Sequence, residues 1–444
     1  MLRITSNDIE ALLEALVLWE KIKPGQVAKR IVFKRYKIIG TSKDRVFTAI
    51  IYSIARKQGI IDKIIKVNYR DPEEINEWLR AALRVITYEH HFGLKDSNIK
   101  KTLIDLAPRI LRKYVEDNLI EEYKKALSKI LNYKYVPSNE IVKLEYQHNM
   151  PSWLIEKIKN LLPSNDLLEF LNHVNRPPPI SFRVNTLKAS VEEIYKELKK
   201  QGYRPWISPY VPTVVKIHGP YDYDSSNLLR EGKIIPQDDS SAMASLILNP
   251  NPSDVVVDMC AAPGGKTTHL AEIMKNKGKI IAIELYRDRI KWMKRLLKRM
   301  GVKNVELFEM DARKAPKVLG EEIADKVLLD PPCSSTGAIA KHPEARWRLN
   351  NKNLQRLVQL QRELLEAAVK LVKQGGRILY TTCSILPEEC EEQVKFILNK
   401  YNDIRLIEIR GPFSPGLIKG TMRAWPHRHN TTGFFYALFE KVIR

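Results

Sequence analysis

Cysteine is scarce in this chain. Four occur among 444 residues: Cys260, Cys333, Cys383 and Cys390. None forms a Cys-x-x-Cys pair, which argues against a disulfide scaffold or a cysteine-rich zinc site and leads to the expectation of a reduced, cytoplasmic protein. No run of about 18 uncharged apolar residues occurs, so no membrane-spanning helix is expected. The apolar stretch ALLEALVLWE is interrupted by Glu14 and followed by no small-residue cleavage site, so no signal peptide is expected either. Glycine (19) and proline (25) are too few for a collagen-like or low-complexity chain. Acidic residues are in deficit: 52 against 74 Lys and Arg, a net charge of +22. Residues 1–150 carry 28 basic and 19 acidic residues, a net +9; residues 151–250 carry +1 and residues 251–444 carry +12. A basic surface at both ends attracts a polyanion, and nucleic acid is the expected partner.

Residues 1–145 read as helical. In TSKDRVFTAIIYSIARKQG, Thr41 and Asp44 have capping-box spacing, Val46, Ile50 and Ile54 recur at helical spacing, and Gly59 is expected to end the helix. Glu74–Glu89 and Leu119–Leu131 are periodic in the same way, and such faces form a bundle core. A boundary is expected around Asn149–Pro151. After Pro177-Pro178-Pro179, ISFRVNT reads as a strand, VEEIYKELKKQGY as a helix and TVVKIHG as a strand, a small α+β module ending near Pro236.

From Ser240 the rhythm becomes strand, helix, strand. Strands are expected at Val255–Met259, Lys279–Leu285, Val305–Asp311, Lys326–Asp330 and Gly376–Thr382, with two more at Ile404–Ile409 and Phe434–Phe439. Helices fit Lys266–Asn276, Tyr286–Met300, Leu354–Val372 and Pro387–Lys400. The alternation predicts an α/β domain with a doubly wound, mostly parallel Rossmann-like sheet, whose ligands bind at the carboxyl ends of the strands.

The first of these strands ends in DMCAAPGGKT, residues 258–267. Paired glycines between strand and helix let a ligand approach the backbone closely. The loop is neither a Walker A motif nor Gly-x-Gly-x-x-Gly. Glu284 ends the second strand, where a carboxylate can accept hydrogen bonds from ribose hydroxyls. Asp311 ends the third and can bond an adenine amino group. With no phosphate-binding loop, S-adenosylmethionine fits better than ATP or NAD.

The fourth strand ends in Asp330-Pro-Pro-Cys333-Ser and the fifth in Thr-Thr-Cys383-Ser, so two thiols are expected at one crevice. Carbon 5 of cytosine is a poor nucleophile. A thiolate adding to carbon 6 makes it enamine-like and able to attack a methyl sulfonium, and cysteine suits this covalent role. Asp330 can bond the polar edge of the base. The two thiols are not told apart by position alone.

DMCAAPGGKT, DPPCSSTG and TTCS followed by PEE resemble the Sun/RsmB-type family of RNA (cytosine-5) methyltransferases. The resemblance covers essentially the whole chain. It implies a class I methyltransferase domain over 236–444, a small module over 148–235 carrying RVNT (Arg183–Thr186), and a NusB-like RNA-binding domain over 1–147. It implies Cys383 as nucleophile, Cys333 in product release, and Cys260, Ala261, Ala262, Pro263, Gly264, Gly265, Lys266, Glu284, Asp311 and Asp330 as cofactor residues, with Arg289 at a position sometimes basic in the family. The partner is RNA, ribosomal ahead of transfer RNA, and a monomer is expected. A DNA methyltransferase and a non-catalytic RNA-binding assembly factor are the alternatives. They are disfavoured by the Thr-Cys thiol and by the intact cysteines and carboxylates.

Three further features are weaker. Cys390, where the family often has Asn, is expected to be structural. Lys341–Arg348 (KHPEARWR) mixes basic and aromatic residues and is expected to line an RNA path. His427 and His429 have too few neighbouring ligands for zinc, so no metal is expected.

Overall fold

The computed structural model describes residues 3–22, 25–93 and 98–443. They pack as two units, one formed by residues 1–164 with His342–Arg348, the other by 165–341 with 349–444. Among the described residues no helix is long and apolar enough to cross a membrane.

The first unit is helical: Ser6–Lys21, Gly25–Arg35, Ser42–Asn68, Glu77–His91, Asn98–Leu111, Asp117–Asn132, Glu140–His148 and Ser152–Lys159. The helix starting at Ser42 does not end at Gly59 but runs on to Asn68. Ile60, Ile61, Ile64 and Ile65 beyond it are buried. Each contributes roughly 1.5–3 kcal/mol on burial, which outweighs the ~1 kcal/mol that a mid-helix glycine costs. Glycine is needed at 59 because a Cβ there would meet the Trp347 ring at 2.1 Å. Thr41 does accept from the Asp44 N–H, but Asp44 returns to the Gly40 N–H, so the capping is one-sided. The reciprocal box stands at Thr5 and Asp8.

The segment His342–Arg348 belongs to this helical unit, which corrects the expectation that it lines an RNA path. Arg346 is fully buried and donates to the Asn149 carbonyl at 2.7 Å. Trp347 Nε1 donates to the Arg56 carbonyl at 2.9 Å, and Arg348 donates to the Trp19 carbonyl at 3.0 Å. The basic and aromatic side chains close a helical core instead of facing a ligand.

The second unit holds two sheets. The smaller comprises β1 (Ile180–Val184), β2 (Trp206–Ile207), β3 (Val214–Ile217) and β4 (Ile234–Pro236), all antiparallel in the order β2-β3-β1-β4. The larger comprises β5 (Val255–Asp258), β6 (Lys279–Glu284), β7 (Val305–Glu309), β8 (Ala324–Leu329), β9 (Val372–Thr382), β10 (Ile404–Ile407), β11 (Ser414–Pro415), β12 (Met422–Ala424) and β13 (Phe434–Lys441). Its order is β11-β12-β13-β9-β8-β5-β6-β7, with β10 on β13. Pairing is parallel from β7 through β6, β5 and β8 to β9, and antiparallel beyond. Successive strands β5, β6, β7 run outward one way and β8, β9 the other. The order therefore reverses between β5 and β8, where a crevice opens at the carboxyl ends.

Candidate active site

The loop after β5 is tied down on both sides. Met259 N–H donates to Leu328 of β8 and Ala261 N–H to Ile283 of β6. Gly264 takes the left-handed conformation (φ +106°) and caps the helix Gly265–Ile273. At Gly265 a Cβ would approach nothing closer than 3.5 Å. No protein atom demands glycine there, which leaves a cradle that a bound ligand can use. Arg183 reaches the loop from β1: it is fully buried, donates to the Gly265 carbonyl at 2.7 Å and pairs with Glu272 at 2.7 Å. RVNT thus braces the cofactor loop, a role the sequence reading did not assign it.

Glu284, at the end of β6, is buried, accepts from the Tyr286 N–H at 3.1 Å and pairs with Arg289 at 3.0 Å. Arg289 also donates to the Ala262 carbonyl at 2.5 Å and so joins the strand-end carboxylate to the loop. Asp311 lies just past β7, where Arg313 grips its carboxylate through Nε and Nη2. Burial pushes the Cys260 thiol up, with neighbouring carboxylates adding to the effect. Burial also pushes Asp258 up to about 7. The set of Glu284, Asp330, Arg289 and the glycine loop fits an adenosyl ligand, with acceptor oxygens for ribose hydroxyls and an open backbone at Gly265.

On the β8 side, Asp330 pairs with Lys266 at 2.5 Å. Burial opposes the lysine's charge, but Asp330 more than offsets this and Lys266 stays protonated. Cys333 and Cys383 Sγ lie 3.2 Å apart. Cys383 Sγ is also 3.5 Å from Ser335 Oγ. The Cys383 thiol is held below its ordinary range by the hydrogen bond from Cys333, against burial and Asp330, with Ser335 and Lys266 helping. Cys333 is pushed well above its range by that same hydrogen bond and by burial. Of the two, Cys383 is the thiol that ionises more readily and Cys333 the one that holds its proton.

The loop carrying Cys333 is held by a residue that the sequence reading quoted only as part of PEE. Glu389 is fully buried, accepts from the Ser334 N–H at 2.8 Å and from Gln361 Nε2 at 3.0 Å, and bonds the Ser334 hydroxyl. Gly337 N–H donates to the Cys383 carbonyl at 2.9 Å and joins the two loops. Ser335 sits at φ +57°, a strained conformation that the surrounding bonds impose. Cys390 is buried in the core beneath β9, where Thr382 Oγ1 lies 3.6 Å away. His429 Nδ1 accepts from the Trp425 N–H, and His427 Nε2 pairs with Asp166 at 3.2 Å.

A doubly wound sheet with these loops at its switch point defines an S-adenosylmethionine-dependent methyltransferase. Residues 245–440 match the 16S rRNA methyltransferase RsmB/F family, and residues 150–224 match the RsmF/B-like ferredoxin-like domain. The chain is 32% identical over 303 residues to the ribosomal RNA small subunit methyltransferase B of Salmonella paratyphi B, covering 68% of this chain and 69% of that one. It is 36% identical over 313 residues to the 28S rRNA (cytosine-C(5))-methyltransferase of Mus musculus, covering 65% of this chain and 38% of that one. The crystal structure of PH0851 superposes with a TM-score of 0.92 at 49% identity, covering 99% of this chain and all of that one. The chain belongs to the RsmB/F family of RNA methyltransferases.

Proposed function

We propose that this protein methylates carbon 5 of a cytosine in ribosomal RNA through a covalent bond between Cys383 and carbon 6. The observation that supports the proposal is the thiol pair: 3.2 Å apart at the carboxyl ends of neighbouring strands, with Cys383 the more readily ionised of the two. S-adenosylmethionine, when bound, supplies an electrophilic methyl group. Residues 260–266, Glu284, Arg289, Asp311 and Asp330 hold it.

The Cys383 thiolate adds to carbon 6 while Asp330 hydrogen-bonds the polar edge of the ring. Carbon 5 becomes nucleophilic and takes the methyl group. The carbon 5 proton must then leave, so that the C5–C6 double bond reforms as the carbon–sulfur bond breaks. Cys333 is placed for that step. The hydrogen bond to Cys383 and the charge on it act with burial to hold Cys333 above its ordinary range. Both disappear once Cys383 is bonded to carbon. Forming the adduct therefore lets Cys333 give its proton to water, and the thiolate so formed takes the carbon 5 proton as the carbon–sulfur bond breaks and Cys383 leaves as thiolate.

The helical unit, NusB-like by resemblance, adds electrostatic affinity for RNA, and the protein works as a cytoplasmic monomer. The test uses both thiols. Cys383→Ala is expected to abolish methylation and adduct formation. Cys333→Ala is expected to leave attack intact and accumulate a protein–RNA adduct on a denaturing gel. An adduct to 5-fluorocytosine RNA in Cys383→Ala but not in Cys333→Ala would reverse the roles. Mapping 5-methylcytosine in cells lacking the protein identifies the RNA, and a mark lost from transfer RNA alone overturns the ribosomal assignment.

A further inference from the structure

The helix Arg287–Met300 buries Ile290, Met293, Leu297 and Met300, half-buries Leu296 and presents its other side chains to solvent. What it presents is unusual. Seven cations stand against one acid, Asp288, which Lys291 neutralises at 3.0 Å. Arg287, Lys294, Arg295, Lys298 and Arg299 form no ion pair among the described residues. In their midst Trp292 is 66% exposed, and the Arg295 guanidinium lies 5.0 Å from its ring centroid. Just before the helix, Tyr286 is 60% exposed. Trp292, Arg295 and Arg299 follow at i, i+3 and i+7, one stripe along the helix. A lysine-rich solvated surface accounts for the charge but not for an indole left in water within it.

We infer that this stripe is a second RNA-binding surface, on which an unpaired base stacks against Trp292 while the flanking phosphates meet Arg295 and Arg299. The inference rests on the RNA reading above and adds a surface to it. Charge complementarity selects a polyanion. An exposed aromatic beside an arginine plane selects one with exposed π-faces, which single-stranded or looped RNA has. The helix follows directly on Glu284-Leu285-Tyr286, so it begins three residues, and Trp292 stands eight, past the carboxylate assigned to the cofactor ribose.

The test measures fluorescence anisotropy of a labelled 20-nucleotide single-stranded RNA with a central cytosine, bound to the full chain across a KCl series. Trp292→Ala is expected to weaken binding about tenfold, within the range for loss of one stacked base, and Trp292→Phe to retain most of the affinity. Arg295→Gln with Arg299→Gln is expected to flatten the slope of log K against log salt by about 1.4, roughly 0.7 for each cation lost on a single strand. S-adenosylmethionine affinity by calorimetry should stay at the wild-type value in all three. If wild type binds RNA with a steep salt dependence and the variants match it in affinity and slope, the stripe does not bind RNA and serves another partner, such as an acidic protein. If wild type neither binds RNA nor methylates a small-subunit rRNA transcript, the underlying reading fails and takes this inference with it.

Discussion

Two thiols of the same chemical kind sit 3.2 Å apart, and their mutual hydrogen bond, with their neighbours, pushes them in opposite directions. Cys383 has Ser335 and the Lys266 ammonium beside it, whereas Cys333 is pushed further up by Glu389 and Asp330. This gives a pH dependence with a definite sign. A depressed thiol is ionised above its native pKa and loses reactivity only as pH falls through it. The rate of adduct formation on 5-fluorocytosine RNA should therefore be half-maximal below the ~8.5 of an ordinary cysteine. Ser335→Ala should move that midpoint upward while leaving S-adenosylmethionine affinity unchanged. A midpoint at or above 8.5 in the wild type would remove the case that Cys383 is the depressed thiol of the pair. The positions of both cysteines were legible in the sequence because each follows a strand. Their charge states were not, because Ser335 and Lys266 reach Cys383 from other loops, 48 and 117 residues earlier in the chain.

Among the elements, sequence periodicity served best where one face is buried. The strands at Val255, Lys279 and Val305 begin where expected, and β8 and β9 start a few residues earlier. The short β11 and β12 were missed because strands of two or three residues carry no alternation to read. Gly59 misled for a different reason. Glycine as a helix stop and glycine as a close-approach site look identical in one sequence, and only the distant Trp347 separates them. Gly59→Ala is accordingly expected to destabilise. The gain in helix propensity is about 1 kcal/mol, whereas driving a methyl group into an indole costs typically 1–3 kcal/mol or displaces the ring. Thermal melts should show a lower Tm for Gly59→Ala and recovery toward the Trp347→Ala value in the double variant. A Tm raised by the alanine would mean that the helix and Trp347 do not pack as described.

At the scale of the whole chain, the +22 charge pointed to nucleic acid but not to where the basic residues work. Arg183, Arg346 and Arg423 are fully or almost fully buried and act as structural cations, and composition cannot tell them from phosphate ligands. The segment His342–Arg348 shows what linear reading lacks. It follows the Cys333 loop in sequence yet belongs to the helical unit in space. Residues 334–341 alone separate it from Cys333, and within them Gly337 is bonded to the Cys383 carbonyl and Lys341 to Asp238. The helical unit therefore holds His342–Arg348, the segment into which the chain runs from the Cys333 loop. Deleting residues 1–164 removes the Asn149, Arg56 and Trp19 carbonyls that receive Arg346, Trp347 and Arg348. The freed segment then has three donors and an indole to expose to water. Methyl transfer to a short RNA, too small to span both units, is expected to fall at least tenfold, while S-adenosylmethionine binding stays near the full-length value because the Gly264–Gly265 loop, Glu284 and Arg289 all lie in the other unit. The readout is single-turnover methylation with calorimetry on the same preparation. If the truncated protein methylates the short RNA at the full-length rate, the helical unit contributes only affinity for longer RNA, and its hold on His342–Arg348 does not reach Cys333.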